Sequence, residues 1–235
     1  MRESDLKLDN RLQLCGNFVR ENSILADVGT DHAYLPVWLC QNRRITKAIA
    51  VDINELPLAS GKKTVARYGL ENCIETRLSD GLSAIKENEV DEIVIAGMGG
   101  ELIAEIIQKA QWLKNPEYHL ILQPMTKAEL LRDYLYHNGF SIQEEQCTCA
   151  DKKLYTVMSV YYTGFLPELT EIQKYCGAIN PKQSAYNYEY LIRTAKALLK
   201  KGTGMLSADP DSTEGKQQIR FSKLISDYAE KGEIL

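Results

Sequence analysis

From Ile24 to about Tyr162, short β-branched runs alternate with longer segments whose apolar residues recur at helical spacing. This is the pattern of βαβ units wound onto a parallel sheet. The strand segments are Ile24–Val28, Ala48–Asp52, Ile74–Leu78, Glu92–Ala96 and Leu120–Gln123. Each gives way to a turn or capping residue and then to a helix-period stretch: Ala33 to Gln41, Asn54 to Tyr68, a short one from Leu82, Glu101 to Leu113, and Lys127 to His137. Ahead of the first strand, Leu8, Leu12, Cys15 and Val19 share one helical face, so a short amphipathic helix leads into the sheet.

After Gly139 the pattern changes. Phe140–Cys149 and Lys153–Tyr162 are strand-like runs joined by a few polar residues around Asp151, which predicts an antiparallel hairpin. Seven strands ending in a hairpin differ from the plain six-stranded dinucleotide-binding sheet. Pro167 and then Asn180–Pro181 punctuate the exit, the second pair reading as a helix start. Ala185, Tyr188, Leu191, Ile192, Ala195, Leu198 and Leu199 form a helical stripe, which Gly202 and Gly204 are expected to break. Ile219, Phe221, Leu224, Ile225 and Tyr228 form another. Two helices joined by a glycine-containing turn predict a C-terminal helical hairpin resting on the sheet. The expected division is residues 1–163 for the sheet and 164–235 for the helical region.

The chain has 235 residues, 44% hydrophobic and 26% charged, the usage of a folded globular chain. No apolar run approaches the ~20 residues that cross a bilayer, and the charged stretch Met1–Asn10 stands where a signal peptide is apolar. No membrane role and a cytoplasmic location are expected. Cys15, Cys40, Cys73, Cys147, Cys149 and Cys176 are scattered without a C-x-x-C and read as packed thiols. His32, His119 and His137 form no ligand spacing, so no metal is expected. The net charge of −4 argues mildly against a nucleic-acid partner, but its distribution changes the picture. Arg193, Lys196, Lys200 and Lys201 occur with no acid between Tyr190 and Ala208. This run is either a solvated helix face or a track for RNA phosphates, the other route being Arg11, Arg43, Arg44 and Lys47 over the sheet.

The candidate chemistry lies where strands end. Asp27-Val28-Gly29-Thr30-Asp31-His32 leaves the first strand where doubly wound folds bring backbone against a nucleotide-like ligand. It is not G-x-G-x-x-G. A carboxylate here repels phosphate and suits a ligand carrying a cation, such as the sulfonium and ammonium groups of S-adenosylmethionine; the alternative is an ordinary turn with Asp31 as helix cap. Asp52 could accept from both hydroxyls of a ribose, with Ile53 next to it. Ser79-Asp80-Gly81 could place a carboxylate on an adenine amino group. Ala96-Gly97-Met98-Gly99-Gly100 offers bare backbone to a flat substrate or makes a tight turn. Gln123-Pro124 adds an amide able to read a base edge, or a simple turn.

The strings V-G-T-D-H-A-Y-L-P, V-D-I-N, L-S-D-G and I-A-G-M-G-G, in this order, resemble a bacterial family of tRNA methyltransferases that modify N1 of adenine 22. The match covers roughly Leu8 to Tyr162. The resemblance implies a seven-stranded Rossmann-like class I methyltransferase sheet ending in an antiparallel hairpin, plus a C-terminal α-helical hairpin. It implies S-adenosylmethionine, leaving as S-adenosylhomocysteine, bound by Asp27, Val28, Gly29, Thr30, His32, Asp52, Ile53, Ser79, Asp80, Gly81 and Ala96. Asp31, Gly97, Met98, Gly99 and Gly100 would stand at the target base. Tyr34, Gln123, Pro124 and Tyr155 are candidates to hold the base, and Arg193, Lys196, Lys200 and Lys201 to hold tRNA. The Asn/Asp-Pro-Pro-aromatic string of other amino- and ring-nitrogen methyltransferases is missing after the fourth strand. N1 of adenine attacks through an in-plane lone pair, so no base is needed. The expected protein is a monomer or weak homodimer. The rival readings are another RNA or small-molecule substrate, a non-catalytic RNA-binding relative, and a nucleotide-dependent oxidoreductase.

Overall fold

The computed structural model describes residues 6–232. The first five residues of the expected segment 1–163 and the last three of 164–235 lie outside the described residues. In chain order the elements are α1 (Asn10–Phe18), β1 (Ser23–Val28), α2 (Tyr34–Gln41), β2 (Ile45–Asp52), α3 (Glu55–Arg67), β3 (Ile74–Leu78), β4 (Glu92–Gly99), α4 (Gly100–Lys109), β5 (His119–Thr126), α5 (Ala128–His137), β6 (Phe140–Ala150), β7 (Lys153–Tyr162), the short α6 (Gln173–Cys176), α7 (Ala185–Ala208) and α8 (Thr213–Lys231).

The described strands form one sheet in the order β3-β2-β1-β4-β5-β7-β6. β1 to β5 run parallel, while β7 lies antiparallel to both β5 and β6. Seven strands ending in an antiparallel hairpin are what the residue pattern predicts, and the order is that of the class I methyltransferase sheet that the family resemblance implies. The order reverses between β1 and β4, so their C-terminal ends open the crevice in which such sheets take ligands. Strand alternation sends Ile93, Ile95, Leu120, Leu122 and Met158 to one face, under α4 and α5, and Val94, Ile121 and Val157 to the other, with Cys15 of α1 and Leu35 of α2. The strands are apolar on consecutive positions because both faces are covered.

A third apolar cluster joins α7 and α8 to the outer strand β6, through Cys147, Ile172, Cys176, Leu191, Phe221 and Ile225. Burial pushes the Cys147 thiol up, consistent with packing rather than redox use. Beside this cluster, fully buried Arg132 of α5 meets Glu145 of β6, with Nη2 to Oε1 at 2.7 Å. Arg132 Nη1 also donates to the carbonyls of Lys174 and Tyr175 at 3.1 and 2.9 Å. Thr156 Oγ1 and the Ala178 amide donate to the Glu145 carboxylate at 2.5 and 3.1 Å. The pair thus ties the sheet to the segment entering α7.

Three local expectations are corrected. The stretch from Leu82 is a series of turns rather than a helix. Ser79 Oγ takes the Ala84 amide at 3.0 Å and Arg77 Nη1 takes the Ala84 carbonyl at 3.0 Å, so side chains claim the backbone groups a helix would pair internally. Asn180–Pro181 does not start the next helix. Asn180 Oδ1 accepts from the Lys182 amide at 2.9 Å, closing a turn, and the cap of α7 is Ser184, whose hydroxyl accepts from the Asn187 amide at 3.0 Å. Finally, α7 runs through Gly202 and Gly204 to Ala208. Gly202 is the point where α8 crosses: a Cβ there would stand 2.7 Å from the Gly215 carbonyl oxygen and 2.8 Å from Ile219. Close helix packing, rather than a chain break, accounts for that glycine.

Candidate active site

At the end of β1 the Gly29 and Thr30 amides donate to the Val51 carbonyl at 2.8 and 2.9 Å, folding the turn over the end of β2. Gly29 has φ +74°, and a Cβ there would overlap the Met98 methyl carbon. Asp27 is 6% exposed and its carboxylate accepts from Thr30 Oγ1 at 2.5 Å. Burial pushes Asp27 up to about 6, the Thr30 hydrogen bond pulling it down and the Asp52 charge raising it further. Asp31 is its opposite: exposed, at φ +48°, and 3.6 Å from His32 Nε2. It does not cap α2, whose cap position is left-handed Ala33 with no side-chain bond. The carboxylate is therefore free to face a ligand. The His32 and Tyr34 rings stack at 5.1 Å with 20° between planes.

Along the same sheet edge, buried Asp52 ends β2, with Oδ1 accepting from the Asn54 amide at 2.8 Å. Ile53 beside it is 60% exposed. Asp80, past β3, stands 3.5 Å from Lys109 Nζ and lines a hollow of about 340 Å³ with Gly81, Ile106 and Trp112. Ser79 is buried and spends its hydroxyl inside this loop. From β3 across β2 and β1 to β4 the edge measures roughly 14 Å at the usual strand spacing, the scale of an extended nucleoside carrying an amino-acid chain.

At the β4 end the turn, α1 and the glycine loop enclose a cavity of about 400 Å³. Asp27, Gly29, Thr30, Asp31, His32 and Tyr34 line one side, Ala96, Gly97 and Met125 another, and Asp9, Arg11 and Leu12 the third. Val28 is buried in the sheet core, and half-buried Met98 packs against that core with its methyl over Gly29. Gly99 is the position preceding α4, and Gly100 is its first residue, packed against the start of α5.

Gln123 and Pro124 do not reach the cavity, for both are buried. The Gln123 amide oxygen accepts from Arg11 Nη1 at 2.8 Å and from the Gly97 amide at 3.1 Å, and its nitrogen donates to the Pro124 carbonyl at 2.8 Å. Both polar ends are committed to holding Arg11 and the glycine loop. Tyr155 is half-buried and does not line the cavity. Arg193, Lys196, Lys200 and Lys201 are exposed on α7, with Arg193 paired to Glu189 at 2.5 Å and Lys201 to Glu214 at 3.1 Å. Their helix is anchored at Asn187, whose Oδ1 accepts from the Cys147 amide at 2.8 Å. Lys200 lies thirteen residues further on, roughly 20 Å along the axis. Asp9, Arg11 and Met125 were not singled out for the cavity from the sequence. Arg11 stood there only as a basic group, because nothing in its neighbourhood shows that α1 is laid across the strand ends.

Known proteins share this architecture. A family model described as a methyltransferase domain matches residues 8–158. The tRNA (adenine(22)-N(1))-methyltransferase of Bacillus subtilis is 39% identical over 155 residues, which span 66% of this chain and 65% of that protein's own length. The crystal structure of the B. subtilis m1A22 tRNA methyltransferase TrmK superposes with a TM-score of 0.79 at 31% identity, covering 96% of this chain and 97% of that one. TrmK of M. capricolum, solved in complex with S-adenosylhomocysteine, does so with a TM-score of 0.77 at 28% identity, covering 95% and 98%.

Proposed function

We propose that this chain, which belongs to the bacterial tRNA (m1A22) methyltransferase family, methylates N1 of adenine 22 in tRNA with S-adenosylmethionine as donor. The observation that carries the reading is the row of carboxylates, Asp80, Asp52, Asp27 and Asp31, along the strand ends beside an acidic cavity. The residues present fit the donor. Its sulfonium and ammonium groups suit Asp27 and Asp31, which line the cavity together with the Gly29 turn. Asp52 keeps one carboxylate oxygen for a ribose hydroxyl, and exposed Ile53 offers an apolar surface to a base. When bound, the donor supplies an electrophilic methyl group.

The chain's own residues then have three tasks. Asp31 places negative potential where the adenine ring becomes cationic, in a reaction that needs no base because the N1 lone pair lies in the ring plane. The stacked His32 and Tyr34 rings offer a platform to a base extruded from its stack. Gly97, whose amide is held by Gln123, lets the target approach backbone at the cavity wall. We assign residues 1–163 to catalysis and 164–235 to tRNA contact, with Arg193, Lys196 and Lys200 on the phosphates. The reading carries with it a cytoplasmic enzyme acting as a monomer or weak homodimer.

The test is label transfer from S-adenosylmethionine to unmodified tRNA transcripts, followed by nucleoside analysis. The expected product is 1-methyladenosine, lost when adenine 22 of the transcript is changed to guanine. Methylation elsewhere would move the substrate assignment. Binding of tRNA without transfer would make the protein a non-catalytic relative.

A further inference from the structure

The wall of the cavity carries three carboxylates, Asp9, Asp27 and Asp31, and one guanidinium, that of Arg11. An arginine on a helix beside an opening ordinarily extends into water. Arg11 instead has a side chain only 18% exposed, and Nη1 lies 3.6 Å from where a Cβ of Gly97 would stand, flat against backbone without a side chain. Gln123, buried and fixed at both ends of its amide, holds Nη1 at 2.8 Å. Asp9 Oδ2 is 3.5 Å from Nη2, while Asp9 Oδ1 is already accepting from the Leu12 amide at 2.7 Å as the cap of α1. Among the described residues these two are its hydrogen-bond and ion-pair partners. A guanidinium has five N–H donors in a rigid fork, so most of its donor capacity remains for the cavity.

We propose that Arg11 anchors the carboxylate of the methyl donor's amino-acid end. This deepens the methyltransferase reading and rests on it. S-adenosylmethionine brings two cations and one carboxylate. The cations match the acidic wall, but the carboxylate would meet Asp9, Asp27 and Asp31 with nothing to offset them except Arg11. A planar fork held from behind suits bidentate capture of a carboxylate. Two other uses of Arg11 fit less well. A tRNA phosphate would have to enter past three carboxylates, and a guanidinium against the target base would oppose the positive charge that N1 methylation creates. Gln123 becomes a positioning residue that aims Arg11.

The experiment is a binding cycle between side chain and ligand. Calorimetry would measure S-adenosylhomocysteine and its decarboxylated analogue, which lacks only the carboxylate, on the wild-type protein, Arg11→Met and Arg11→Lys. The wild type should prefer S-adenosylhomocysteine. Arg11→Met should weaken that ligand by roughly 10- to 100-fold, the range of a charged hydrogen bond, and leave the analogue within about twofold. Arg11→Lys, which keeps the charge but not the fork, should retain part of the preference. It serves as the test if Arg11→Met does not melt cooperatively. Equal losses for both ligands would overturn the proposal and make Arg11 a brace for the loop. An unchanged preference, with a raised KM for tRNA that depends less on salt, would overturn it in favour of a phosphate contact. Failure of the folded wild-type protein to bind S-adenosylhomocysteine would instead remove the methyltransferase reading itself.

Discussion

Asp27 links stability and donor binding through one buried charge, and Asp27→Asn separates them. The carboxyl is pushed up to about 6 from its ordinary 3.8, chiefly by burial. An acid whose value is raised by folding is protonated more readily in the folded chain. Its stabilising share is whole below the unfolded value and is lost as pH climbs through the folded one. At about 1.4 kcal/mol per tenfold change in the equilibrium, holding Asp27 ionised above pH 6 costs about 3 kcal/mol. Asn keeps the size and an oxygen for Thr30 Oγ1 but cannot ionise. Denaturant unfolding of both proteins from pH 3.5 to 8 should show the variant gaining on the wild type between pH 4 and 6, by up to about 3 kcal/mol, with a plateau beyond. At neutral pH this is roughly 6–12 °C in Tm for a chain of this size. A constant offset from the new amide does not affect the test, since the rise across the window is what burial predicts. Donor binding should move the other way. A bound cation favours ionised Asp27, so wild-type affinity should strengthen from pH 5 to 7.5, and the variant should bind weakly at every pH. Parallel stability curves would refute the burial argument. A variant that binds as tightly as wild type would refute the placement of the donor's cations at Asp27.

Other perturbations test separate parts of the structure. Gly100→Ala places a Cβ over the Lys127 carbonyl oxygen and 3.2 Å from the Leu131 Cβ, whereas at Gly99 the nearest atom, Thr126 Oγ1, is 3.4 Å away; thermal melting should show a loss of about 1–3 kcal/mol for the first and little for Gly99→Ala. Glu145→Gln leaves the Arg132 charge buried without a counter-ion, so stability should fall by about 3 kcal/mol and proteolysis between residues 163 and 185 should accelerate; an unchanged melt would mean the carbonyls of Lys174 and Tyr175 suffice. Replacing Arg193, Lys196 and Lys200 with Ala should weaken tRNA in filter binding and flatten log affinity against log salt, with S-adenosylhomocysteine binding intact; wild-type affinity and slope would exclude this face from the RNA path.

The strand ends and their chemistry were legible in the chain because they are local events. A strand buried on both faces must be apolar on successive positions, so its end shows as the first acid or glycine, and Asp27 and Asp52 announce themselves that way. Asp80 instead follows the edge strand β3, which carries its own Glu75 and Arg77, and shows only as a turn acid before Gly81. The hairpin of β6 and β7 was visible for the same reason, as were both long C-terminal helices from their stripes. What failed locally failed where side chains compete for backbone groups: Ser79 and Arg77 drain the turns after Leu82, and Asn180 closes on itself before α7 can start. Gly202 looked like a break because a glycine's local meaning is flexibility, while its cause is a second helix packed so close that the Gly215 carbonyl oxygen would lie 2.7 Å from any Cβ there. The cavity was decided at longer range. Arg11 and Gln123 meet across 112 residues of sequence, and neither carries a spacing that names the other. Their pairing exists because Cys15, Leu14 and Phe18 pack α1 into the apolar cluster it shares with α2, which turns the face carrying Arg11 and Leu12 toward the cavity. Periodicity tells a residue which face of its own element it occupies; only packing tells it what that face looks at.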